Sequence, residues 1–146
     1  MLNISEWKYQ KMHRVKNKGG NGLIDCLNWG IVGIYSKGMG VLTYRQINCI
    51  KFIIDKELGK DIKLWFRVTP NESVTKKPAG LRMGKGKGKI ETWQVRISKG
   101  VLIFELDRQG PIMEESLFYS KVETMLRIIN SKLGIELGVK RYEIEL

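Results

Sequence analysis

Histidine and cysteine are scarce in this chain of 146 residues, and their scarcity limits the chemistry that it can perform. His13 is the single histidine, and no carboxylate lies near it in KMHRVK to orient its ring as a catalytic base. A metal centre with several histidines is therefore excluded, and we expect neither a metal nor a cofactor. Cys26 and Cys49 lie far apart in apolar surroundings, so we expect buried free thiols in a reducing compartment.

The chain also lacks an apolar run long enough to span a bilayer, so we expect no membrane insertion. Its first ten residues, MLNISEWKYQ, have no apolar core of a secretory signal and include Glu6, which is untypical of a transit peptide. We therefore expect a mature protein that begins near Met1. The hydrophobic content of 42% is enough for a core, and we expect a single domain over residues 1–146 that forms no homo-oligomer.

Acidic residues are absent from two segments, and this absence locates the formal net charge of +11. Residues 8–18 and 76–89 contain many of the 26 lysines and arginines but no aspartate or glutamate. The rest of the chain has equal numbers of acidic and basic residues, so it is formally neutral. A charge that served only solubility would be spread over the surface. Two concentrated cationic segments on a neutral body instead predict a polyanionic partner.

Hydrophobic periodicity predicts two helices. Thr43 can cap the first helix, and Gln46 stands three residues later, where it completes a capping box. Apolar residues at helical spacing follow, and Gly59 supplies the end. The second helix is predicted from about residue 113 to 133, again with one apolar face.

Strands are predicted where apolar and polar residues alternate. The turn at 98–100 is expected to join strands at 93–97 and 101–107 into a hairpin. Further strands are predicted at 27–36, where glycines make the strand irregular, at 62–68 and at 142–146. Because helices and strands do not alternate regularly, the sequence predicts an α+β fold with a mainly antiparallel sheet and two helices packed on it.

Residues 69–89 show no periodicity and are predicted to form a long basic loop, a length that is usually functional or disordered. A P-loop is excluded, because too few residues separate Gly80 from Gly84-Lys85 and a strand follows instead of a helix. A flexible linker is the competing interpretation, but a linker needs no cation at every second position. Glycine allows close approach to phosphates and lysine neutralises them, so we favour nucleic acid.

Residues 1–22 are predicted to be a basic N-terminal arm with a glycine-rich end. Trp7 and Tyr9 alternate with cations, an arrangement that suits stacking on RNA bases. The same two rings would also serve to dock the arm on the body, and the two roles are compatible.

Paired acidic residues are the remaining candidates for catalysis. Glu114 and Glu115 are interpreted as residues that start a helix, and Glu105 and Asp107 as the solvent-facing side of a strand. Nothing in the sequence brings together a nucleophile, a base and an oxyanion donor. We therefore expect a protein that is not an enzyme.

Five short words, in this order and at this spacing, make the chain similar to a known family. They are QKMHR, LTYRQI, LWFRVTP, TKKPAGLRMGKGKGKIETW and LIFELD. They closely resemble the bacterial-type large-subunit ribosomal protein L16 family, and the resemblance covers nearly the whole chain. The KMH arm and the KP-x(3)-RMGKGKG loop are its most specific parts.

The resemblance implies a structural constituent of the large ribosomal subunit that binds large-subunit rRNA beside neighbouring ribosomal proteins. In that family the glycine-lysine loop reaches towards the peptidyl-transferase region, which implies transient contact with tRNA. Together with the charge map, the resemblance assigns rRNA binding to the arm residues Lys8, Lys11, Met12, His13, Arg14, Lys16 and Lys18. It assigns tRNA or rRNA contact to the loop residues Lys76, Lys77, Pro78, Arg82, Met83, Gly84, Lys85, Gly86, Lys87, Gly88 and Lys89.

One alternative to this function stays open. A free RNA chaperone or ribosome assembly factor would use the same cations without permanent residence in a ribosome.

The location of the protein is a separate expectation. The abundance of isoleucine and lysine suggests an AT-rich genome, and with the start at Met1 it favours a protein of the mitochondrial matrix. A bacterial cytoplasm or a plastid is the alternative location.

Overall fold

The computed structural model describes residues 8–13, 26–59, 62–108 and 115–141. Within them it contains two helices, α1 (Tyr44–Leu58) and α2 (Glu115–Lys132). Its strands are β1 (Val32–Ser36), β2 (Gly40–Thr43), β3 (Ile62–Phe66), β4 (Glu72–Lys76), β5 (Lys89–Ile97), β6 (Leu102–Arg108) and β7 (Leu137–Arg141). The predicted α+β class is confirmed. Neither of these two helices is long and apolar enough to cross a membrane.

The strands form two antiparallel sheets instead of one. The first has the order β3-β6-β1-β7 and the second the order β2-β5-β4. The predicted hairpin of β5 with β6 is therefore wrong, since these strands belong to different sheets. The turn between them bonds to the end of β1: Gly100 N donates to Ser36 O at 2.8 Å, and Ser36 N donates to Val101 O at 3.0 Å. These bonds carry the chain from the second sheet into the first.

The hairpin that does form joins β4 to β5, with Lys76 opposite Lys89 at its last pair. The prediction of one long basic loop over residues 69–89 is therefore wrong in part, because Glu72–Lys76 is a strand. Its sequence, ESVTK, is polar and lies at the edge of the sheet, so it shows no apolar alternation. The long loop is thereby reduced to residues 77–88, the tip of a hairpin.

The first strand has the irregularity that its glycines predict, although it is shorter than the predicted segment of 27–36. Pairing of β1 with β6 shifts register between Ile34 and Tyr35. The predicted strand at 142–146 lies outside the described residues.

Helix α1 begins and ends as predicted. Gln46 N donates to Thr43 Oγ1 at 3.3 Å, and Thr43 N donates to Gln46 Oε1 at 2.8 Å, which completes the capping box. Gly59 follows the last helical residue with a φ of +83°. The predicted apolar face is buried, and it consists of Ile47, Ile50, Ile54 and Leu58, together with Ile53.

One hydrophobic core connects the helices to both sheets. Helix α1 packs against α2, β2 and β5, while α2 also contacts β7. The largest fully buried side chains include Phe104 of β6 and Phe118 of α2. Burial of such a side chain contributes about 1.5–3 kcal/mol. This core forms the body from which the β4–β5 hairpin extends.

Both cysteines are free, as predicted, but their predicted burial is wrong, since Cys26 and Cys49 are exposed. Cys49 stands between Ile47 and Ile50 on α1. Since each helical residue is rotated by about 100° from the previous one, Cys49 falls outside the buried stripe.

Candidate nucleic-acid interface

The loop at residues 77–88 is exposed along almost its whole length and has a defined turn. Gly84, Lys85 and Gly86 have consecutive positive φ values of 95°, 57° and 80°. Glycine adopts this backbone region without strain, which explains the glycines on both sides of Lys85. Lys77 Nζ donates to Gly84 O at 2.7 Å and so ties the start of the loop to this turn.

The two limbs of the loop enclose an open cleft of about 640 Å³. At Gly88 a Cβ atom would lie 2.6 Å from the carbonyl oxygen of Lys76. The glycine there serves the close approach of the two limbs of the hairpin. Arg82 is exposed, and the neighbouring residue Met83 is 100% exposed.

The arm lies against the base of this loop. Lys11 Nζ donates to Lys87 O at 3.3 Å, and Lys87 Nζ donates in return to Met12 O. Met12 N donates to Ser73 Oγ of β4 at 3.2 Å. The two cationic segments, far apart in sequence, therefore form one surface, which we call the arm–loop surface (residues 8–13 and 76–89).

Few charges on the arm–loop surface are neutralised by carboxylates. Among its described residues, Lys76 alone forms an ion pair, with Glu91 at 3.3 Å, and both side chains are exposed. The cations without a carboxylate partner among the described residues are Lys8, Lys11, Lys77, Arg82, Lys85, Lys87 and Lys89. Like charges at this density repel one another, so a polyanion placed here lowers the electrostatic energy.

His13 lines a small cavity of about 180 Å³ between the arm and strands β4 and β5. In the same cavity Arg96 Nε donates to Glu72 Oε2 at 2.8 Å, so that arginine is committed to the body. Tyr9 is 76% exposed, and Lys8 Nζ lies 5.5 Å from its ring centroid. The exposed ring fits stacking better than docking on the body.

Several predicted residues of the arm lie outside the described residues. They are Trp7, Arg14, Lys16 and Lys18. Their assignment to rRNA binding stays a prediction. Glu114 also lies outside them, whereas Glu115 is the first residue of α2, as its interpretation requires.

The prediction that Glu105 faces solvent is wrong, because Glu105 is fully buried, with 0% of its surface exposed. Residues 26–30, which we call the strap, cover it, and their backbone donates three hydrogen bonds to its carboxylate. Burial is the largest single influence on Glu105 and, acting alone, would raise the pKa of its carboxyl. The hydrogen bonds from Trp29, Gly30, Asn28 and Arg67 together outweigh burial, so the net effect is a lowered pKa. The available signal was the position of this glutamate within the apolar run LIFELD, which indicates a buried strand. Because carboxylates are rarely fully buried without partners, a buried glutamate there would have predicted a partner as well.

These features define the class of protein. The body is α+β, the cations concentrate on one surface, and no group of three or more histidine, cysteine or acidic residues that could hold a metal occurs in the described part of the chain. Such an arrangement is that of a protein suited to a polyanionic partner.

Comparison with known proteins agrees with this class. The family model of ribosomal protein L16p/L10e matches residues 4–139. A large ribosomal subunit protein uL16 of Buchnera aphidicola subsp. Cinara cedri (strain Cc) is 37% identical over 139 residues, which cover 93% of each chain. The uL16 protein of Xanthomonas campestris pv. campestris (strain B100) is 37% identical over 107 residues, 73% of this chain and 78% of the relative. The chain belongs to the ribosomal protein L16p/L10e family, a family of structural and non-enzymatic proteins, and the resemblance seen in the sequence is confirmed.

Proposed function

We propose that the protein is a constituent of the large ribosomal subunit and binds large-subunit rRNA through the arm–loop surface. The contact of Lys11 and Met12 with Lys87 and Ser73 is the observation that carries this proposal. It joins the two acid-free segments into one cationic surface on a formally neutral body. The names of the bacterial relatives, large ribosomal subunit protein uL16, support the assignment to that subunit.

The arm–loop surface suits the RNA backbone in shape and in charge. Exposed lysines and arginines neutralise phosphates, and the exposed Tyr9 and Met83 offer apolar surface to bases and riboses. If about six phosphates are contacted, affinity falls by about a thousandfold between 50 and 200 mM salt.

We further propose that the tip of the loop contacts tRNA transiently near the peptidyl-transferase region. The loop extends from the body on the β4–β5 hairpin. Among the described residues Arg82 has no carboxylate partner, and Met83 is fully exposed. A projecting and preformed turn of this kind reaches a ligand that the body itself does not touch.

Sedimentation tests the main proposal. Tagged protein expressed in the source cells should sediment with the large ribosomal subunit. It should remain bound to that subunit after a wash at moderate salt. Protein found only in free fractions would contradict the proposal. Exchange on and off mature subunits would instead assign the protein to the RNA chaperones or assembly factors.

The location of that ribosome is a separate proposal. We propose the mitochondrial matrix, from the abundance of isoleucine and lysine, with bacterial cytoplasm or plastid as alternatives. Fractionation of source cells tests it: mitochondrial ribosomes should contain the protein, and its recovery only with cytoplasmic or plastid ribosomes would contradict this location.

A further inference from the structure

A second feature lies on the formally neutral body, where Trp29 projects from the strap. The side chain is large and apolar, yet Trp29 is 58% exposed. Its backbone is held firmly, since the N–H groups of Asn28, Trp29 and Gly30 donate to Glu105 Oε2 at 3.1, 2.8 and 2.9 Å. Three consecutive bonds to one buried carboxylate oxygen leave the strap little freedom to move.

The same carboxylate also positions a cation against the indole. Arg67 Nη1 donates to Glu105 Oε1 at 2.5 Å, and Arg67 Cζ lies 5.2 Å from the centroid of the Trp29 ring. The guanidinium therefore occupies one face of the ring. Trp29 is 58% exposed despite this contact, so a large part of the residue is accessible to a ligand.

The strap packs closely on the strand beneath it. At Gly30 a Cβ atom would lie 2.7 Å from Leu106 O and 3.0 Å from Glu105 Cβ, so the strap already lies in close contact with β6. The exposed indole thus belongs to a strap whose backbone is held by buried polar contacts. A preorganised aromatic ring loses little conformational entropy when a second planar group stacks on it.

We propose that Trp29 is a stacking platform for an unpaired base of the bound RNA. This inference rests on the proposed rRNA binding and adds a contact away from the arm–loop surface. A base on the opposite face would extend the existing stack of guanidinium and indole by one planar group. Such stacking is tolerant of base identity, because every base has a π-face.

A side chain of a neighbouring protein is the competing occupant of the platform. Arg67 Cζ lies 5.2 Å from the centroid of the Trp29 ring. A cationic side chain on the opposite face would therefore be repelled by Arg67. A neutral planar base avoids that repulsion. The rRNA that the arm–loop surface is proposed to bind would supply such a base.

A purely structural role for Trp29 would be to cover the Arg67–Glu105 pair from water. Replacement by leucine separates the two roles, since leucine retains an apolar cover but has no π-face. Phe52 provides a matched aromatic control on α1, where it is 70% exposed. Among the described residues, no lysine or arginine lies over its ring.

The test uses the full chain and a transcript of large-subunit rRNA as the probe. Trp29→Leu should weaken binding by about 5- to 150-fold, since stacking contributes about 1–3 kcal/mol per base. Trp29→Phe should retain most of the affinity, and Phe52→Leu should bind like the unmodified protein. The slope of affinity against salt should stay unchanged in all three variants, because every residue that neutralises a phosphate is still present.

Several results would overturn the inference. If Trp29→Leu binds the transcript as tightly as the unmodified protein, the platform does not exist. Equal binding accompanied by loss of incorporation into subunits would assign the ring to a protein neighbour. If the unmodified protein fails to bind the transcript at all, the proposed rRNA binding fails with it, so the two failures are distinguishable.

Discussion

Basic side chains have opposite roles in the body and on the arm–loop surface. In the body, Arg67 and Arg96 lie 2.5 and 2.8 Å from carboxylate oxygens of Glu105 and Glu72. On the arm–loop surface, lysines donate to main-chain carbonyl oxygens, which leaves their charge uncompensated. The body therefore compensates the charge of these two arginines as it folds, whereas the arm–loop surface has a net charge that a polyanionic ligand would neutralise.

This difference separates stability from binding. A charge change in the body should alter the free energy of unfolding. A charge change on the arm–loop surface should instead alter the affinity for RNA and its dependence on salt.

Glu105→Ala should destabilise the fold by about 3–5 kcal/mol, because it leaves Arg67 and three backbone N–H groups without their acceptor. Denaturant unfolding measures the loss. Glu136→Ala is the control, since its pair with Lys37 is exposed on both sides and solvent screening leaves it with little effect on stability. Similar stability losses in the two variants would contradict the comparison.

Replacement of Arg82 and Lys85 by alanine should leave stability unchanged and weaken binding to a large-subunit rRNA transcript. The slope of log affinity against log salt should fall by about 2, since each removed cation leaves one phosphate without its neutralising partner. Lys51→Ala with Lys132→Ala removes the same charge from exposed positions on the helices. If this control changes the salt slope as much as the loop variant does, binding depends on net charge and not on the arm–loop surface.

The same loop variant should also impair accommodation of tRNA or late assembly of the subunit, while the body stays folded. Translation assays and sedimentation of subunits from cells that express only the variant measure these two effects. Normal translation by ribosomes that contain only the variant would contradict the proposed tRNA contact.

Stability should depend on acid pH through Glu105. The pKa of this carboxyl is lowered from its ordinary value of 4.5, so the unfolded chain binds the proton more tightly than the folded one. Its contribution is therefore complete above pH 4.5 and is lost as pH falls through the lower pKa of the folded state. The stability of Glu105→Gln should vary less over that acid range than the stability of the unmodified protein, and equal variation would rule out this linkage.

Thr43→Ala should cost about 1 kcal/mol of stability through loss of the helix cap, with no effect on RNA affinity. Thermal unfolding and the transcript-binding assay measure the two quantities. A loss of affinity at constant stability would show that α1 contributes to binding directly.

Local features of the fold were predictable from the sequence. The capping box of Thr43 and Gln46, the buried face of α1 and the stop at Gly59 depend on residues within a few positions of one another. Strand pairing was less predictable, because β4 is a polar edge strand and its partner is chosen by the whole sheet. For the same reason the expected pairing of β5 with β6 was wrong.

The candidate site divides in the same way. The lack of acidic residues identified both cationic segments, since charge is a property of each residue alone. The burial of Glu105 was missed, because the strap that covers it is distant in sequence and the apolar run around the glutamate was its single local sign. Cys49 was placed wrongly because its rotation on α1, and not its apolar neighbours in sequence, sets its exposure.

The sequence by itself determined the family, the helices, the charge and the two segments that carry it. The tertiary structure alone decided that these segments meet, through Lys11, Met12, Ser73 and Lys87. It also decided that one buried carboxylate holds the strap and presents Trp29. The physical reason is that these hydrogen bonds join residues that only strand pairing and packing bring together, and no local pattern encodes their distance.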